Sequence, residues 1–263
     1  MNCSLIITTY NWPEALELVL SSVMMQTTFP NEVIIADDGS DQGTKNVIEK
    51  FSDDSLFPII HSWQKDKGFR LSKSRNKSIA LAKYEYIVVI DGDMLLHKDF
   101  IKDHKKLAKK NTYIQGSRVL LQREYTNKVL KENFFSKPSF FSNASKNKGN
   151  LIRFPFLSFF VSLNSSQNLN RIRGCNFSLF RDDIIRVNGF NEEFTTWGKE
   201  DSEFVQRLFN CGISRRNLKF SGIQYHLFHK EGFSSNNNVE LLNIAINQKL
   251  KFCKVGIDKY FQD

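Results

Sequence analysis

The first third of the chain alternates short apolar runs with segments of helical spacing, and this alternation constrains the fold more than any other feature. Four runs, at 3–11, 31–40, 57–63 and 86–93, are rich in apolar residues and predict strands. Their apolar residues are continuous rather than alternating, which is typical of strands buried on both faces of a parallel sheet. The sequence therefore predicts an α/β fold with a mostly parallel central sheet.

Polar residues mark the ends of three of these strands. The first ends in Thr8-Thr9-Tyr10-Asn11, the second in Asp37-Asp38-Gly39-Ser40 and the fourth in Asp91-Gly92-Asp93. In sheets of this kind, ligands bind beside the carboxyl ends of the strands. We therefore expect one crevice that is lined by all three polar segments.

Asp91 and Asp93 are the strongest indication of chemistry in this crevice. Residues two apart in an extended segment point the same way, so the two carboxylates share a side. A buried charge is costly unless it is paired or binds a metal. Mg²⁺ and Mn²⁺ prefer one or two carboxylates together with phosphate oxygens. We therefore predict a site for a divalent cation and phosphate, against the plainer alternative of an acidic turn.

Several common nucleotide-binding and catalytic motifs are absent from the sequence. There is no GxxxxGK[ST] segment, no GxGxxG after the first strand and no GxSxG segment. Their absence argues against a P-loop, a dinucleotide-binding site and the nucleophile elbow of α/β-hydrolases. A nucleotide would have to bind in a different kind of crevice.

The composition indicates an anionic partner. The 263 residues include 37 Lys and Arg against 28 Asp and Glu, which gives a net charge of +9, and the Lys-rich segment 97–111 contributes to it. Nucleic acid, an anionic membrane surface and anionic small molecules all suit such a charge. The four cysteines are scattered, and we find no signal-peptide pattern and no apolar run of membrane-spanning length. We therefore expect a cytoplasmic protein with free thiols.

Four segments carry a resemblance to a known family. They are SLIITTYN, VIIADDGSDQGT, KGFRLSKSRNKSIALAKYEYIVVIDGDM and GCNFSLFRDDIIRVNGFNEEFTTWGKEDSEFVQRLFNCGI. In this order they are similar to family 2, inverting glycosyltransferases of the GT-A fold, a Rossmann-like nucleotide-diphospho-sugar transferase fold. The second half resembles the C-terminal region shared by bacterial chondroitin polymerase-type enzymes and animal galactosyl- and N-acetylgalactosaminyltransferases.

The resemblance covers most of residues 3–232 and implies a single glycosyltransferase domain over residues 1–232. Residues 1–96 would form its nucleotide-binding half. Residues 97–232 would form the acceptor-binding half, with an insertion near 122–170 that the family pattern does not cover. Residues 233–263 would form a helical tail.

The resemblance also implies which residues bind the donor and the metal. Those implied for the donor are Thr8 and Tyr10 along the nucleoside, Asp38 on the base (expected to be uracil) with Asp37 beside it, Arg70 and Arg75 on the base or pyrophosphate, and Asp91 with Gly92 at the ribose. The implied metal ligands are Asp93, His226 and Asp91, with His229 as a second candidate histidine. The cation itself would be Mn²⁺ or Mg²⁺.

The segment TWGKEDSEF carries the implied catalytic residues. Asp201 would be the base that removes the proton of the acceptor hydroxyl, as an inverting transfer requires. Glu200 would assist and bind the acceptor, and Trp197 would offer a flat face to a sugar ring, while Gly198 would let the loop move. A structural alternative remains at this point, because acidic residues also stabilise a helix N-terminus.

The expected function is therefore metal-dependent, inverting transfer of a sugar from a UDP-sugar to a hydroxyl. The acceptor would be a bacterial surface glycan or lipid-linked glycan, such as lipopolysaccharide or capsule, at the inner face of the cytoplasmic membrane. Two alternatives stay open: a sugar-phosphate nucleotidyltransferase, and a basic nucleic-acid-binding module. The acidic residues at the strand ends have no use in the second, so we expect no nucleic-acid partner.

The apolar segment 154–163 has two interpretations. It could cover the sheet as part of the core, which is the interpretation we favour from sequence. It could instead be a surface that docks a lipid-linked acceptor or an anionic membrane. Basic residues that would assist such docking are Lys137, Lys146, Lys148 and Arg153.

Overall fold

The computed structural model describes residues 1–230 and 235–261 and confirms the alternation of strands and helices in the first third. The elements there are β1 (Cys3–Thr9), α1 (Pro13–Met24), β2 (Glu32–Asp37), α2 (Gln42–Asp54), β3 (Ile59–Trp63), α3 (Leu71–Leu81) and β4 (Tyr86–Asp91). Every residue of β1 and β2 is buried. This burial explains why their apolar residues are continuous.

The rest of the chain is less regular. Its elements are β5 (Met94–Leu96), α4 (Phe100–Leu107), β6 (Thr112–Gly116), β7 (Val119–Leu121), α5 (Arg123–Glu132), β8 (Ser145–Lys146), α6 (Pro155–Leu163), β9 (Ser165–Ser166), β10 (Asn176–Phe180), α7 (Arg181–Arg186), α8 (Glu200–Asn210), β11 (Ser214–Leu218), β12 (Gln224–His226) and α9 (Asn236–Asn247). Short 3₁₀ helices lie at Lys148–Leu151 and Asp258–Tyr260.

The central sheet has eight strands in the order β3-β2-β1-β4-β10-β6-β11-β9. Strands β3, β2, β1 and β4 are parallel, whereas β10 is antiparallel to both of its neighbours. The predicted α/β class with a mostly parallel sheet is therefore confirmed. Because β1 and β4 are neighbours and parallel, their polar ends lie side by side, with Thr8 opposite Asp91.

A second sheet, in the order β5-β12-β7-β8, brings a distant segment to the end of β4. Strand β12 pairs antiparallel with β5, and His226 lies opposite Met94. Asp93 directly precedes Met94, and the Nε2 atom of His226 lies 3.1 Å from the Asp93 carboxylate. Strands β5 and β12 are roughly 130 residues apart in sequence, and their pairing brings the proposed metal ligands together.

One expectation about the second half is corrected by the structure. The favoured interpretation of segment 154–163 as core is wrong. It forms α6, whose phenylalanine side chains are largely exposed.

The C-terminal segment packs against the rest of the chain. Helix α9 lies on α8, and Asn210 donates a hydrogen bond from Nδ2 to the carbonyl oxygen of Leu250 at 2.7 Å. The predicted boundary between residues 232 and 233 lies outside the described residues. Within the described parts of the chain, no helix combines the length and apolar character needed to cross a membrane.

Candidate active site

Two adjoining cavities open at the carboxyl ends of β1, β2 and β4. The first, of about 370 Å³, is lined by Thr8, Thr9, Tyr10, Trp12, Asp38, Gly68, Phe69, Leu71, Asp91, Gly92, Asp93 and His229. The second, of about 330 Å³, is lined by Leu71, Arg75, Asp91, Arg118, Ile172, Arg173, Gly174, Cys175, Trp197, Gly198, Lys199, Glu200, Asp201 and Ser202. Asp91 and Leu71 line both cavities, so the two spaces meet at the end of β4.

The end of β4 is held tightly against the end of β1. Thr8 donates a hydrogen bond from Oγ1 to Asp91 Oδ1 at 2.8 Å. The amide of Gly92 donates to the carbonyl oxygen of Thr8 at 2.6 Å. A Cβ atom at position 92 would lie 2.7 Å from that same oxygen, which is too close for any side chain. Glycine is therefore required for the close approach that sets the floor of the first cavity.

Asp93, His226 and His229 form a cluster with the chemistry of a metal site. Both imidazole Nε2 atoms lie near Asp93 Oδ2, at 3.1 Å for His226 and 3.0 Å for His229. The other oxygen, Asp93 Oδ1, is buried and has no hydrogen-bond partner. One ligand atom from each residue lies within 4.8 Å of the other two. An unpartnered buried carboxylate oxygen beside two imidazoles fits a divalent cation.

Electrostatics bind this cluster together. Burial raises the pKa of the Asp93 carboxyl, but the hydrogen bonds and charges of His226 and His229 outweigh burial and leave the pKa below its usual range. His229 was the weaker of the two histidine candidates in the sequence, yet the structure places both equally close to Asp93. The preference for His226 came from the family resemblance, and the loop after β12 has no regular spacing from which the contact of His229 with Asp93 could be predicted.

Asp38 lies in the wall of the first cavity, where its two oxygens already accept hydrogen bonds. Gln64 donates from Nε2 to Oδ1 at 2.6 Å, and the backbone amide of Arg70 donates to Oδ2 at 2.7 Å. Burial raises the pKa of Asp38. A carboxylate has about four lone-pair positions, so Asp38 retains capacity to accept from a base N–H.

Three residues that the resemblance implied for donor binding have contacts with other protein groups: Asp37, Arg70 and Arg75. Asp37 is fully buried, and its carboxylate accepts from the Gly39 and Ser40 amides and from His61, so it shapes the turn after β2. Arg70 contributes a backbone amide to Asp38, as described above. Arg75 lines the second cavity, where carboxylates surround its buried guanidinium.

The guanidinium of Arg75 joins the end of β4 to the start of α8. It donates from Nη1 to Asp201 Oδ1 at 2.7 Å and from Nη2 to Asp91 Oδ1 at 3.3 Å. Its Nη1 also lies 4.0 Å from Glu200 Oε1. The other oxygen of Asp201 accepts from the backbone amide of Gly174 at 2.6 Å. These two donors fix the orientation of the Asp201 carboxylate at the wall of the second cavity.

Glu200 is an acid of the second cavity whose pKa is strongly raised. The side chain is buried, and its Oε2 atom has no hydrogen-bond partner. Burial raises the pKa of Glu200 to about 8, and the charge of Asp201 adds to the rise. At neutral pH Glu200 is therefore largely protonated and has a hydrogen to donate into the cavity.

The loop that carries Trp197 is held by the C-terminal helix. Asn238, the third residue of α9, is fully buried and donates from Nδ2 to the carbonyl oxygens of Thr196, Trp197 and Gly198 at 2.9, 3.2 and 2.7 Å. Trp197 itself is half-exposed at the second cavity. Gly198 has a φ of 99°, which favours glycine, so this position shapes the loop.

Sequence reasoning missed four residues that shape these cavities. Trp12 and Phe69 add aromatic surface to the first cavity, and both stand beside motifs that were recognised. Gly174 touches the Asp201 carboxylate so closely that a Cβ atom would overlap it. Asn238 lies in the predicted tail, where no pattern indicates contact with the site.

Comparison with known proteins places the chain in a family. Residues 4–186 match the family model described as Glycosyl transferase family 2, and residues 155–230 match one described as the N-terminal domain of galactosyltransferase. Chondroitin synthase from Escherichia coli is 30% identical over 244 residues, which cover 85% of this chain and 34% of the synthase. The chain spans only 23–34% of the length of the chondroitin and hyaluronan synthases that it matches.

A second relative is similar in length to this chain. The Escherichia coli protein named UDP-Glc:alpha-D-GlcNAc-diphosphoundecaprenol beta-1,3-glucosyltransferase WfaP is 23% identical over 239 residues, covering 91% of this chain and 82% of that protein. Among solved structures, S. aureus TarS 1-349 in complex with UDP-GlcNAc has a TM-score of 0.67 at 16% identity, covering 99% of this chain and 69% of that chain. The predicted GT-A fold is confirmed by this likeness. Because the first family model covers residues 4–186, which are most of the chain, the chain belongs to glycosyl transferase family 2.

Proposed function

We propose that this chain is a metal-dependent, inverting glycosyltransferase that moves a sugar from a UDP-sugar to a hydroxyl group of a bacterial surface glycan. The observation that carries the proposal is the meeting of the two cavities at Asp91. Two of the three proposed cation ligands, Asp93 and His229, line the first cavity, and the Glu200-Asp201 pair lines the second. A donor in the first cavity would therefore present its anomeric carbon at the junction.

The first cavity suits a nucleoside diphosphate. Aromatic side chains of Tyr10, Trp12 and Phe69 offer flat apolar surface to a base, and Asp38 is the acceptor for a base N–H. Uracil has such an N–H at its pairing edge. The relatives named for UDP-Glc and UDP-GlcNAc support UDP as the nucleotide.

Asp93, His226 and His229 would hold a divalent cation beside the diphosphate. When bound, that cation would neutralise the charge on the leaving diphosphate. The donor set of one carboxylate and two imidazoles favours Mn²⁺ over Mg²⁺, because Mg²⁺ prefers oxygen ligands in an octahedral arrangement. We therefore propose Mn²⁺ as the preferred ion.

In the second cavity Asp201 would accept the proton of the acceptor hydroxyl while that hydroxyl attacks the anomeric carbon. Arg75 and Gly174 orient the Asp201 carboxylate, and proton removal needs only one of its remaining lone pairs. Protonated Glu200 would donate a hydrogen bond to an acceptor hydroxyl or ring oxygen. Trp197 would pack against the face of the acceptor sugar.

The acceptor is proposed to be a growing surface glycan, as a free or lipid-linked chain, at the inner face of the cytoplasmic membrane. The printed name of the length-matched relative includes a diphosphoundecaprenol-linked sugar, which supports a lipid-linked acceptor. Family membership favours this function over a sugar-phosphate nucleotidyltransferase. The placement of the acids in two cavities supports an enzyme over a nucleic-acid-binding module.

The test is a transfer assay with the purified full chain. A panel of UDP-sugars is incubated with Mn²⁺ and with free and undecaprenyl-linked glycans, and released UDP and the glycosylated product are both measured. NMR of the product reports the configuration of the new anomeric bond, which inversion predicts to be opposite to that of the donor. Product formation with a GDP- or dTDP-sugar but with no UDP-sugar would overturn the donor assignment, and retention would overturn the mechanism.

A further inference from the structure

Helix α6 (Pro155–Leu163) buries polar side chains and exposes apolar ones, which is the reverse of an ordinary surface helix. Its buried residues are two serines, Ser158 and Ser162. Its exposed side chains are large and apolar: Phe156 (71% exposed) and Phe160 (49% exposed), together with Leu157, Phe159 and Leu163. An exposed apolar face of this kind on a soluble domain is typical of an interaction site.

Hydrogen bonds explain why the helix packs with its serines inward. Ser158 Oγ and Ser221 Oγ share a hydrogen bond of 2.5 Å. The buried guanidinium of Arg216 donates from Nε to the carbonyl oxygen of Ser162 at 2.7 Å and from Nη2 to Ser162 Oγ at 3.1 Å. Rotating α6 to bury the phenylalanines would leave these polar groups without partners, so the outward apolar face is fixed by the fold.

The phenylalanines form one continuous surface. The rings of Phe156 and Phe160 lie 5.0 Å apart between centroids, and those of Phe159 and Phe160 lie 5.7 Å apart. Phe154, just before the helix, is also half-exposed. We call this surface, Phe154 with the exposed residues of α6, the aromatic face.

Basic residues predominate in the segments next to the aromatic face. No Asp or Glu occurs between Glu132 and Asp182, the segment that contains α6. Arg216 also donates from Nη1 to the carbonyl oxygen of Leu107 at 2.9 Å, so the C-terminal end of α4 lies next to α6. Exposed basic residues on or after α4 and beside Phe220 are Lys102, Lys106, Lys109, Lys110 and Lys219.

Arg153, another basic residue of this region, stabilises the fold through ion pairs. The guanidinium of Arg153 pairs with Asp103 and, at 3.1 Å, with Asp99. Asp103 also accepts from the backbone amide of Gly222 at 2.8 Å. Arg153 thereby ties the start of α6 to α4, and the lysines remain as the charges that face outward.

We propose that the aromatic face docks the protein on an anionic lipid bilayer. Phenylalanine and leucine side chains would insert to the level of the upper acyl chains, and the surrounding lysines would contact anionic head groups. Lysines around a protein-binding face would require an acidic partner surface, whereas a bilayer with anionic lipids satisfies the apolar and the basic groups together.

The test is sedimentation of the purified full chain with vesicles, without any donor or acceptor, so that its result is independent of the proposed catalysis. Vesicles of phosphatidylcholine alone are compared with vesicles of equal parts phosphatidylcholine and phosphatidylglycerol. The variant replaces Phe156 and Phe160 with serine. The matched control replaces Leu56 with serine, because Leu56 is 80% exposed and lies just before β3, at the opposite edge of the central sheet from β9.

We expect the wild-type chain and the Leu56→Ser variant to bind the anionic vesicles and to bind neutral vesicles more weakly. The double variant should lose binding by roughly 30-fold or more, since two large apolar side chains no longer insert. A Phe156→Trp variant should show a blue shift of the added tryptophan emission with anionic vesicles. Binding that is unchanged in the double variant, or wild-type binding to single-stranded DNA or to itself but not to vesicles, would overturn the proposal.

Discussion

Replacing Asp201 with asparagine is the most informative single change, because the carboxylate has two separable functions. It is the proposed base, and it is also an ion-pair partner of the buried Arg75 at 2.7 Å. Asparagine has almost the same shape and retains one oxygen for the Gly174 amide. It cannot accept a proton in the reaction.

The expected magnitudes follow from this geometry. Loss of a general base lowers turnover by about 10²- to 10⁴-fold, equivalent to roughly 3–5 kcal/mol in the activation barrier. Breaking a buried ion pair completely costs about 3–5 kcal/mol of stability. Arg75 keeps the carboxylate of Asp91 as an ion-pair partner at 3.3 Å, so we expect a cost of about 1–3 kcal/mol. The variant should therefore remain folded at the assay temperature.

The assay compares transfer, UDP binding and thermal unfolding for the wild-type chain and the variant. UDP affinity should stay within about threefold, because Asp201 lies in the second cavity rather than the first. Asp182→Asn is the matched control, since Asp182 is exposed on α7, and it should change none of the three readouts. Transfer by Asp201→Asn within tenfold of wild type, with an intact control, would refute Asp201 as the base.

Two further changes test neighbouring groups. Folding raises the Glu200 pKa from 4.5 to about 8. Between these pH values the native state retains a proton that the unfolded state has lost. Glu200 therefore lowers the free energy of unfolding as the pH rises through this window, by at most about 5 kcal/mol. Glu200→Gln should therefore unfold several degrees above wild type at pH 8.5 and at nearly the same temperature at pH 4.5; an equal difference at both pH values would contradict this. Asn238→Ala should raise the KM for the acceptor severalfold with unchanged UDP affinity, because it releases the Trp197 loop. Asn237→Ala, its exposed neighbour, is the control, and equal effects of the two would remove the positioning role.

The sequence was sufficient for the parallel half of the fold. Continuous apolar strands such as β1 and β4 have one favourable environment, the interior of a sheet covered on both faces, so their burial and their polar ends could be predicted. The crevice at Thr8, Asp38 and Asp91 follows directly from that arrangement. These inferences needed only local patterns.

Long-range contacts account for what the sequence could not provide. The ion pair of Arg75 with Asp201 depends on α8, which begins roughly 125 residues later in the sequence and brings Asp201 to the guanidinium. The outward face of α6 depends on Arg216 and Ser221, which satisfy the serines that local pattern would place at the surface. Periodicity identifies which face of a helix is apolar, but here the polar partners determine which face is buried.

The measurement that most directly tests the proposed donor site is the thermal shift produced by UDP with and without Mn²⁺. It is made on the wild-type chain, on Asp93→Asn and on Asp53→Asn, an exposed control on α2. UDP at about 100 times its dissociation constant stabilises a folded protein by about 2.7 kcal/mol, which corresponds to a rise of about 5–10 °C. We predict this rise for the wild type and the control only when Mn²⁺ is present, and its loss in Asp93→Asn. A shift that is independent of Mn²⁺, or that survives in Asp93→Asn, would contradict a metal-nucleotide site at the end of β4.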